Sequence, residues 1–388
     1  MKLLFSISTL VISLLFNASF AQSAQPEKVH SIIKVYKTYE WYVEQYGLWE
    51  NELKKDKKNG AIWENIYAAA RMAKIMTPDT VDRDIWPGIM EEVISRMEKT
   101  IPNTYYYYHL KSWNSSIWGA TGDAAKEIAS WAEKAYALDP NRTEIYPNLM
   151  NVYMIKGDTN KMEVLSKKWL ASGDISPNLL ALTYNMLNST EQNATLLTAG
   201  DNDTYPALVL QYGAGIRRDV SIINIYCAYG SVEYRNHQLK KASITTNTAE
   251  MKTQLDLVHY IVENREENPL YFAYGNYASQ DSVLNKNMYN VGLALRYSEE
   301  AFNNTSDIIN NFENKFLLDH LTFSTAKEAF PEQVKRHNLT YLPGLFILFD
   351  HYVTIQDIRK QEQVKKIIQT IAADTPHAET AQAKFKNC

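Results

Sequence analysis

Two aspartates two residues apart, Asp201 and Asp203, follow a short apolar run at 194–198. Carboxylates at that spacing, at the end of a buried strand, can hold Mg²⁺ or Ca²⁺ together with substrate oxygens. Asn202, Thr204 and, further on, Arg217 complete a candidate ligand-binding set, with Asp201 and Asp203 as the metal ligands. The same residue types also have a structural use. Asx and Thr side chains bond nearby backbone groups in turns and at helix starts. The loop 200–204 therefore also reads as a helix cap that needs no cofactor. This second reading is favoured, because no partner lysine or second acidic motif accompanies the pair. Arg217, Arg218 and Asp219 admit a similar choice between an anion site and a solvated turn, and the turn is favoured.

These residues need a scaffold, and the surrounding pattern supplies one. The run 194–198 is apolar and β-branched, as a strand buried on both faces would be. Pro206 suits a first helical turn, so a helix is predicted over 207–212, stopped by Gly213 and Gly215. A second buried strand is predicted over 220–228. The product is a parallel strand–helix–strand unit with the two aspartates at the carboxyl end of its first strand. Ligands commonly sit at that edge of α/β sheets.

The first 21 residues have the order of an export signal: Lys2, an apolar stretch at 3–16, then Ala18-Ser19-Phe20-Ala21. Cleavage after Ala21 would leave a soluble, periplasmic or secreted chain, since no later apolar run is long enough to span a bilayer. Export permits a disulfide between Cys227 and Cys388, the two cysteines present. A formal charge of −4 with no basic run argues against nucleic acid as a partner. The eight histidines form no His-Glu-x-x-His pair, and neither a Gly-x-Ser-x-Gly elbow nor a P-loop is present.

Upstream, helices are predicted over 33–57, 61–76, 84–99, 124–138, 144–156, 161–170 and 174–187. The stretch 105–187 resembles the tetratricopeptide repeat. Tyr146, Leu149 and Tyr153 share one face, Gly157-Asp158 makes the turn, and Gly122-Asp123 stands 35 residues before it. Met150 and Met162 depart from the small residues usual there. The aromatic cluster of Tyr105 to Tyr108 with Trp113 and Trp118 could stack sugars or clasp a peptide, but packing between repeats is the favoured reading. Downstream, 249–264 reads as a helix and 269–274 as a third strand. The segment 285–297 supplies a turn and a further strand, 331–350 with 355–373 a closing hairpin, and the tail beyond 375 is expected to fray.

The segment Gly200-Asp201-Asn202-Asp203-Thr204-Tyr205-Pro206 carries a second resemblance. With Ile216-Arg217-Arg218-Asp219-Val220, Asn224 and the stretch Pro269 to Ala273, it looks like a family of large envelope proteins of Bacteroidetes-type bacteria. Those proteins join a multi-spanning, mannosyltransferase-like half to a soluble extracytoplasmic half, and about residues 190–300 of this chain resemble part of the soluble half. These 388 residues contain no membrane half, so the transferase chemistry does not carry over. Asp201-x-Asp203 is also similar to the acidic strand end of haloacid-dehalogenase phosphatases, whose threonine follows the first Asp by four; Thr204 follows by three. It is likewise similar to the short Asp-x-Asp of nucleotide-sugar transferases. Asp79-Thr80-Val81 and Asp281-Ser282-Val283 resemble O-glycosylation acceptors of the same bacteria.

The expectation is an α+β, mostly α chain with degenerate helical hairpins around a small parallel-strand domain. Its parts are a signal peptide (1–21), a repeat domain (22–188), a small α/β domain (189–300) and a C-terminal hairpin with tail (301–388). The function expected is an envelope interaction protein that takes a protein partner and no cofactor. The alternative is a protein or enzyme that binds a glycan or phosphate ester, with Mg²⁺ or Ca²⁺ at Asp201 and Asp203.

Overall fold

The computed structural model describes residues 25–31, 33–246, 251–274, 281–323 and 328–386. The expected signal peptide and Cys388 lie outside them. The chain divides into two units: residues up to His30 with Lys37–Thr100, and Ser31–Tyr36 with Ile101 onward.

In the first unit, α2 (Gly60–Met76) packs against both α1 (Tyr39–Lys55) and α3 (Ile85–Thr100). Asn59 caps α2 by accepting from the Ala61 N–H. Alanines at 68, 69, 70 and 73 let α2 be buried along most of its length. The Arg96 guanidinium grips Glu50 with two bonds of 2.7 and 3.0 Å and lies 5.0 Å from the Trp63 ring centre.

The second unit begins with α4 (Tyr105–Asn114), α5 (Gly122–Leu138), α6 (Tyr146–Lys156), α7 (Thr159–Ser172) and α8 (Pro177–Asn188). Helix α4 packs on α5, and α6 on α7. Gly157 ends α6 with φ of 62°, a conformation that glycine adopts without strain, and Asp158 caps α7 by accepting from the Lys161 N–H.

The sheet follows, in the order β2-β1-β3-β5-β4. Strands β1 (Thr195–Thr198), β2 (Ser221–Asn224) and β3 (Leu270–Ala273) are parallel. Strands β4 (Met288–Asn290) and β5 (Ala294–Tyr297) add an antiparallel edge. The segment expected to give one further strand thus gives two. Helix α9 (Asp201–Ala214) joins β1 to β2; α10 (Ile225–Gly230), α11 (Val232–Lys241) and α12 (Gln254–Asn264) lead to β3. The fold is α+β and mostly helical.

Two boundaries differ from expectation. Strand β2 stops at Asn224 rather than 228, because the Asn224 side chain accepts from the Cys227 N–H and starts α10. Helix α9 begins at Asp201 rather than 207, so Pro206 stands inside it, beyond the first turn. Helix α9 also runs very close to α7. A Cβ at Gly213 would sit 2.9 Å from the Ser166 carbonyl oxygen, so glycine is what permits this approach.

After α13 (Ser282–Asn285) and the antiparallel edge come α14 (Thr305–Asn310), α15 (Asp319–Thr322), α16 (Pro331–Asn338), α17 (Leu342–Thr354) and α18 (Ile358–Ala372). The tail forms α19 (Ala378–Lys386) instead of fraying, held by Ala381 in the core and by Phe385 edge-on to Phe349 at 5.1 Å. One connected apolar core runs from Tyr105 to Ala381. No helix among the described residues is long and apolar enough to cross a membrane.

Candidate functional site at the carboxyl end of the sheet

Strand β1 is buried at all four positions and delivers the chain to Gly200, the extended N-cap of α9. The Asp203 carboxylate turns back on this loop. Its Oδ2 accepts from the Ala199 N–H at 3.0 Å and its Oδ1 from the Gly200 N–H at 2.8 Å. It satisfies two backbone donors left over at the strand-to-helix corner. The Thr204 hydroxyl lies 3.2 Å from Asp203 Oδ1 and 2.8 Å from Thr198 Oγ1, and it accepts from Asn224 Nδ2 at 2.9 Å. Thr198, Thr204 and Asn224 are all buried. This chain of polar groups ties the ends of β1 and β2 to the first turn of α9. Tyr234 of α11 closes it, its hydroxyl accepting from the Asn224 N–H at 3.2 Å.

Asn202 faces another way. Its Nδ2 donates to the Ile33 carbonyl at 3.3 Å and lies 3.1 Å from His337 Nε2 on α16. Burial, and then Arg336, lower the His337 pKa to about 4, so the ring is neutral and its Nε2 can accept from the amide. Asp201 is the exposed member of the set. Its charge reaches α10: burial first, then Asp201 and Asp203, push the Cys227 thiol up, so it keeps its proton at neutral pH. Burial and then Asp201 likewise raise Tyr205, whose hydroxyl donates to Asn151 Oδ1 at 2.9 Å.

Arg217 is not part of this group. It precedes β2, at the amino end of the parallel strands, while Asp201 and Asp203 follow β1 at the carboxyl end. Its guanidinium bonds Asp219 and the carbonyls of Leu187, Thr190 and Glu191. Arg218 donates to the Gln211 and Tyr212 carbonyls and pairs with Glu163 at 3.2 Å. The structure thus brings Asp201, Asn202, Asp203 and Thr204 together and separates Arg217 from them. Among the described residues, no group of three or more His, Cys, Asp or Glu side chains is placed to hold a metal ion. The two oxygens of Asp203 already face backbone donors, so a cation there would have to displace them.

Burial outweighs the backbone bonds at Asp203 and raises its pKa from 3.8 to about 6. A raised folded-state value means the native chain holds the proton more tightly than the unfolded one. Stability linked to Asp203 is therefore fully present below about pH 4 and is lost as pH rises through about 6. We expect Asp203→Asn to remove this slope. Urea midpoints taken from pH 4 to 7 should fall more steeply in the wild type than in the variant. Parallel curves would contradict the assignment.

Three participants escaped the sequence reading: Thr198, Tyr234 and His337. Thr198 carries a readable signal, a hydroxyl closing a buried strand just before an acidic loop. Tyr234 and His337 are brought in by tertiary packing alone. The aromatic cluster upstream serves packing: His109 stacks between Tyr105 and Trp113 at 5.5 and 5.6 Å, and Trp118 meets Tyr234 edge-on at 5.7 Å. The hydroxyl-bearing residues of the two acceptor-like triplets, Thr80 and Ser282, are exposed.

The family described as TMEM260-associated domain 2 matches residues 180–384, more than half of the chain. The chain belongs to this family. The TMEM260-associated domain starts within α8, takes in the whole sheet with its acidic corner, and ends within α19. The Gly200 to Pro206 motif and Arg217 both lie inside it. No curated protein matches the chain.

Proposed function

We propose that this protein is an exported, soluble interaction protein of the cell envelope that holds a protein partner through the helical hairpins preceding its sheet. One observation carries this reading. At the acidic corner Asp203, Thr204 and Asn224 are engaged in holding the fold, whereas α5, α6 and α7 present an open aromatic groove. The tetratricopeptide-like spacing of Tyr146, Leu149 and Tyr153 supports the same view, since such hairpins expose faces suited to extended chains. Likeness to the extracytoplasmic half of mannosyltransferase-like envelope proteins supports the location.

The test is capture from envelope extract with the chain from Gln22 onward as bait. A reproducible partner should be recovered by the wild type and lost with Val164→Glu in the groove. Recovery of the same set by both, or of no partner in repeated trials, would count against the proposal.

A second reading rests on Asp201, which is exposed beside β1 where the strand order 2-1-3 reverses direction. Crevices at such reversals commonly take ligands. A glycan or phosphate ester with Mg²⁺ or Ca²⁺ would raise the melting temperature by mass action, and Asp201→Asn would abolish the rise. A flat response leaves the corner structural.

A further inference from the structure

The groove on α5, α6 and α7 has a volume of about 330 Å³, within the range that holds a compact ligand or a few side chains of a longer one. It is lined by Tyr136, Tyr153, Asn160, Lys161, Val164 and Leu165. Helix α7 buries Met162, Leu165, Ser166 and Trp169, so Val164 is on its outer side, 65% exposed. Val164 shares the groove with Tyr136, Tyr153 and Leu165, and an apolar lining of this kind gains by being covered.

The rim fixes what can cover it. Lys161 holds its ammonium 5.2 Å from the Tyr153 ring centre, and Lys168 holds its own 5.3 Å from that of Tyr136. Each tyrosine ring thus has a cation over it. The acids nearby are already engaged: Glu133 pairs with Lys161 at 3.1 Å, and Glu163 is shared between Lys167 and Arg218. The Lys161–Glu133 pair is half exposed, and such surface pairs exchange readily. Lys168 makes no ion pair among the described residues.

We infer that this groove binds an extended acidic peptide segment, one apolar side chain resting on Val164 between Tyr136 and Tyr153 and flanking carboxylates meeting Lys161 and Lys168. A sugar would need bare ring faces, and the two lysines stand over these. A basic segment would meet like charge at both tyrosines. The inference rests on the partner-binding function proposed above and narrows the chemistry of the partner.

The experiment titrates the chain into fluorescein-labelled Asp-Glu-Leu-Asp-Glu-Phe-Asp, following anisotropy. Two control peptides carry Asn and Gln, or Lys, at the acidic positions. Saturable binding of the acidic peptide is expected, at least tenfold tighter than the neutral one and weakened severalfold by 0.5 M NaCl. Val164→Glu places a carboxylate in the groove and should cost at least tenfold; Lys168→Ala should cost severalfold. Both are surface changes, and an unchanged melting temperature and circular dichroism spectrum would exclude misfolding. Equal affinity for acidic and neutral peptides, no saturable binding, or indifference to Val164→Glu overturns the inference. So does sedimentation showing that this face joins two copies of the chain. If envelope capture remains sensitive to Val164→Glu while the acidic peptide fails to bind, the partner-binding function stands and only the acidic chemistry falls.

Discussion

Arg217→Ala should lower the melting temperature of the protein by about 5 °C and leave any ligand response of the acidic corner intact. All five guanidinium N–H groups are in use. Nε and Nη2 hold the two oxygens of Asp219 at 2.9 and 2.8 Å. Nη1 donates to the Leu187 and Thr190 carbonyls at 2.7 and 3.1 Å, and Nη2 also to the Glu191 carbonyl at 2.7 Å. The side chain is 18% exposed, so water cannot replace these bonds fully. Removing it takes the guanidinium donors from the Thr190 and Glu191 carbonyls and from Asp219, which Arg217 holds below the usual aspartate range and which keeps only the Asn193 N–H; the Leu187 carbonyl keeps the Thr190 hydroxyl. Breaking a paired, largely buried charge of this kind costs about 3–5 kcal/mol. Lysine keeps the charge and loses the fork, so Arg217→Lys should recover less than half of the loss. Thermal unfolding of the three proteins is the measurement. If Arg217→Ala melted with the wild type and instead lost a ligand shift, Arg217 would belong to a binding site after all.

The parallel half of the sheet was legible because its cues are local. A buried apolar run, Asx-rich corner, short helix and second apolar run lie within about 35 residues, and each has one sensible secondary structure. The errors cluster where one side chain decides between two nearly equal options. The sequence Ile225-Tyr226-Cys227-Ala228-Tyr229 is apolar enough for strand or helix, and periodicity does not separate them. The Asn224 side chain settles the matter by capping. In α9, Pro206 suggests a helix start close by, yet the two backbone donors satisfied by Asp203 favour a start five residues earlier. The candidate site was half legible for the same reason. Asp201 to Thr204 are neighbours in sequence, and the structure keeps them together. Arg217 was grouped with them by its charge. Its destination, at the other end of the strands, depends on carbonyls about 30 residues away that no pattern marks.

The acidic corner also shows why two carboxylates alone are weak grounds for catalysis. A catalytic or metal-binding acid has to keep an oxygen available to the ligand. Asp203 spends both on the corner, Asn224 donates to Thr204 and accepts from the Cys227 N–H, and the Thr204 hydroxyl also bonds Thr198. Asp201 is the exposed carboxylate of the pair, and any chemistry there would have to be completed by a ligand's own groups or by a partner.

Asn185→Ala should be nearly as damaging as Arg217→Ala, and it probes whether the closing helices and the start of the TMEM260-associated domain fold as one piece. Asn185 on α8 is fully buried. Its Nδ2 donates to the Leu317 carbonyl at 2.8 Å and to the Tyr341 hydroxyl at 2.7 Å, and its Oδ1 accepts from the Leu317 N–H at 2.7 Å. One amide thereby clamps the segment between α14 and α15 and the approach to α17, more than 130 residues away in sequence. Tyr341 is fully buried too, and burial holds its hydroxyl in the neutral form. Alanine would leave the Leu317 N–H without its acceptor and take the amide donor from the Leu317 carbonyl and the Tyr341 hydroxyl, at about 1–3 kcal/mol each before relaxation, so a net loss of about 3–5 kcal/mol is expected. Tyr341→Phe removes one bond together with its acceptor, leaves Asn185 Nδ2 its bond to the Leu317 carbonyl, and should cost only about 1 kcal/mol. A double-mutant cycle should show strong coupling between the two positions, because the second change removes a group that the first has already stranded. Hydrogen exchange at the Leu317 amide gives the local readout. Protection there should collapse in Asn185→Ala and survive in Tyr341→Phe. Retained protection with an unchanged urea midpoint would mean that the clamp is dispensable and that the closing helices are held by their apolar contacts alone.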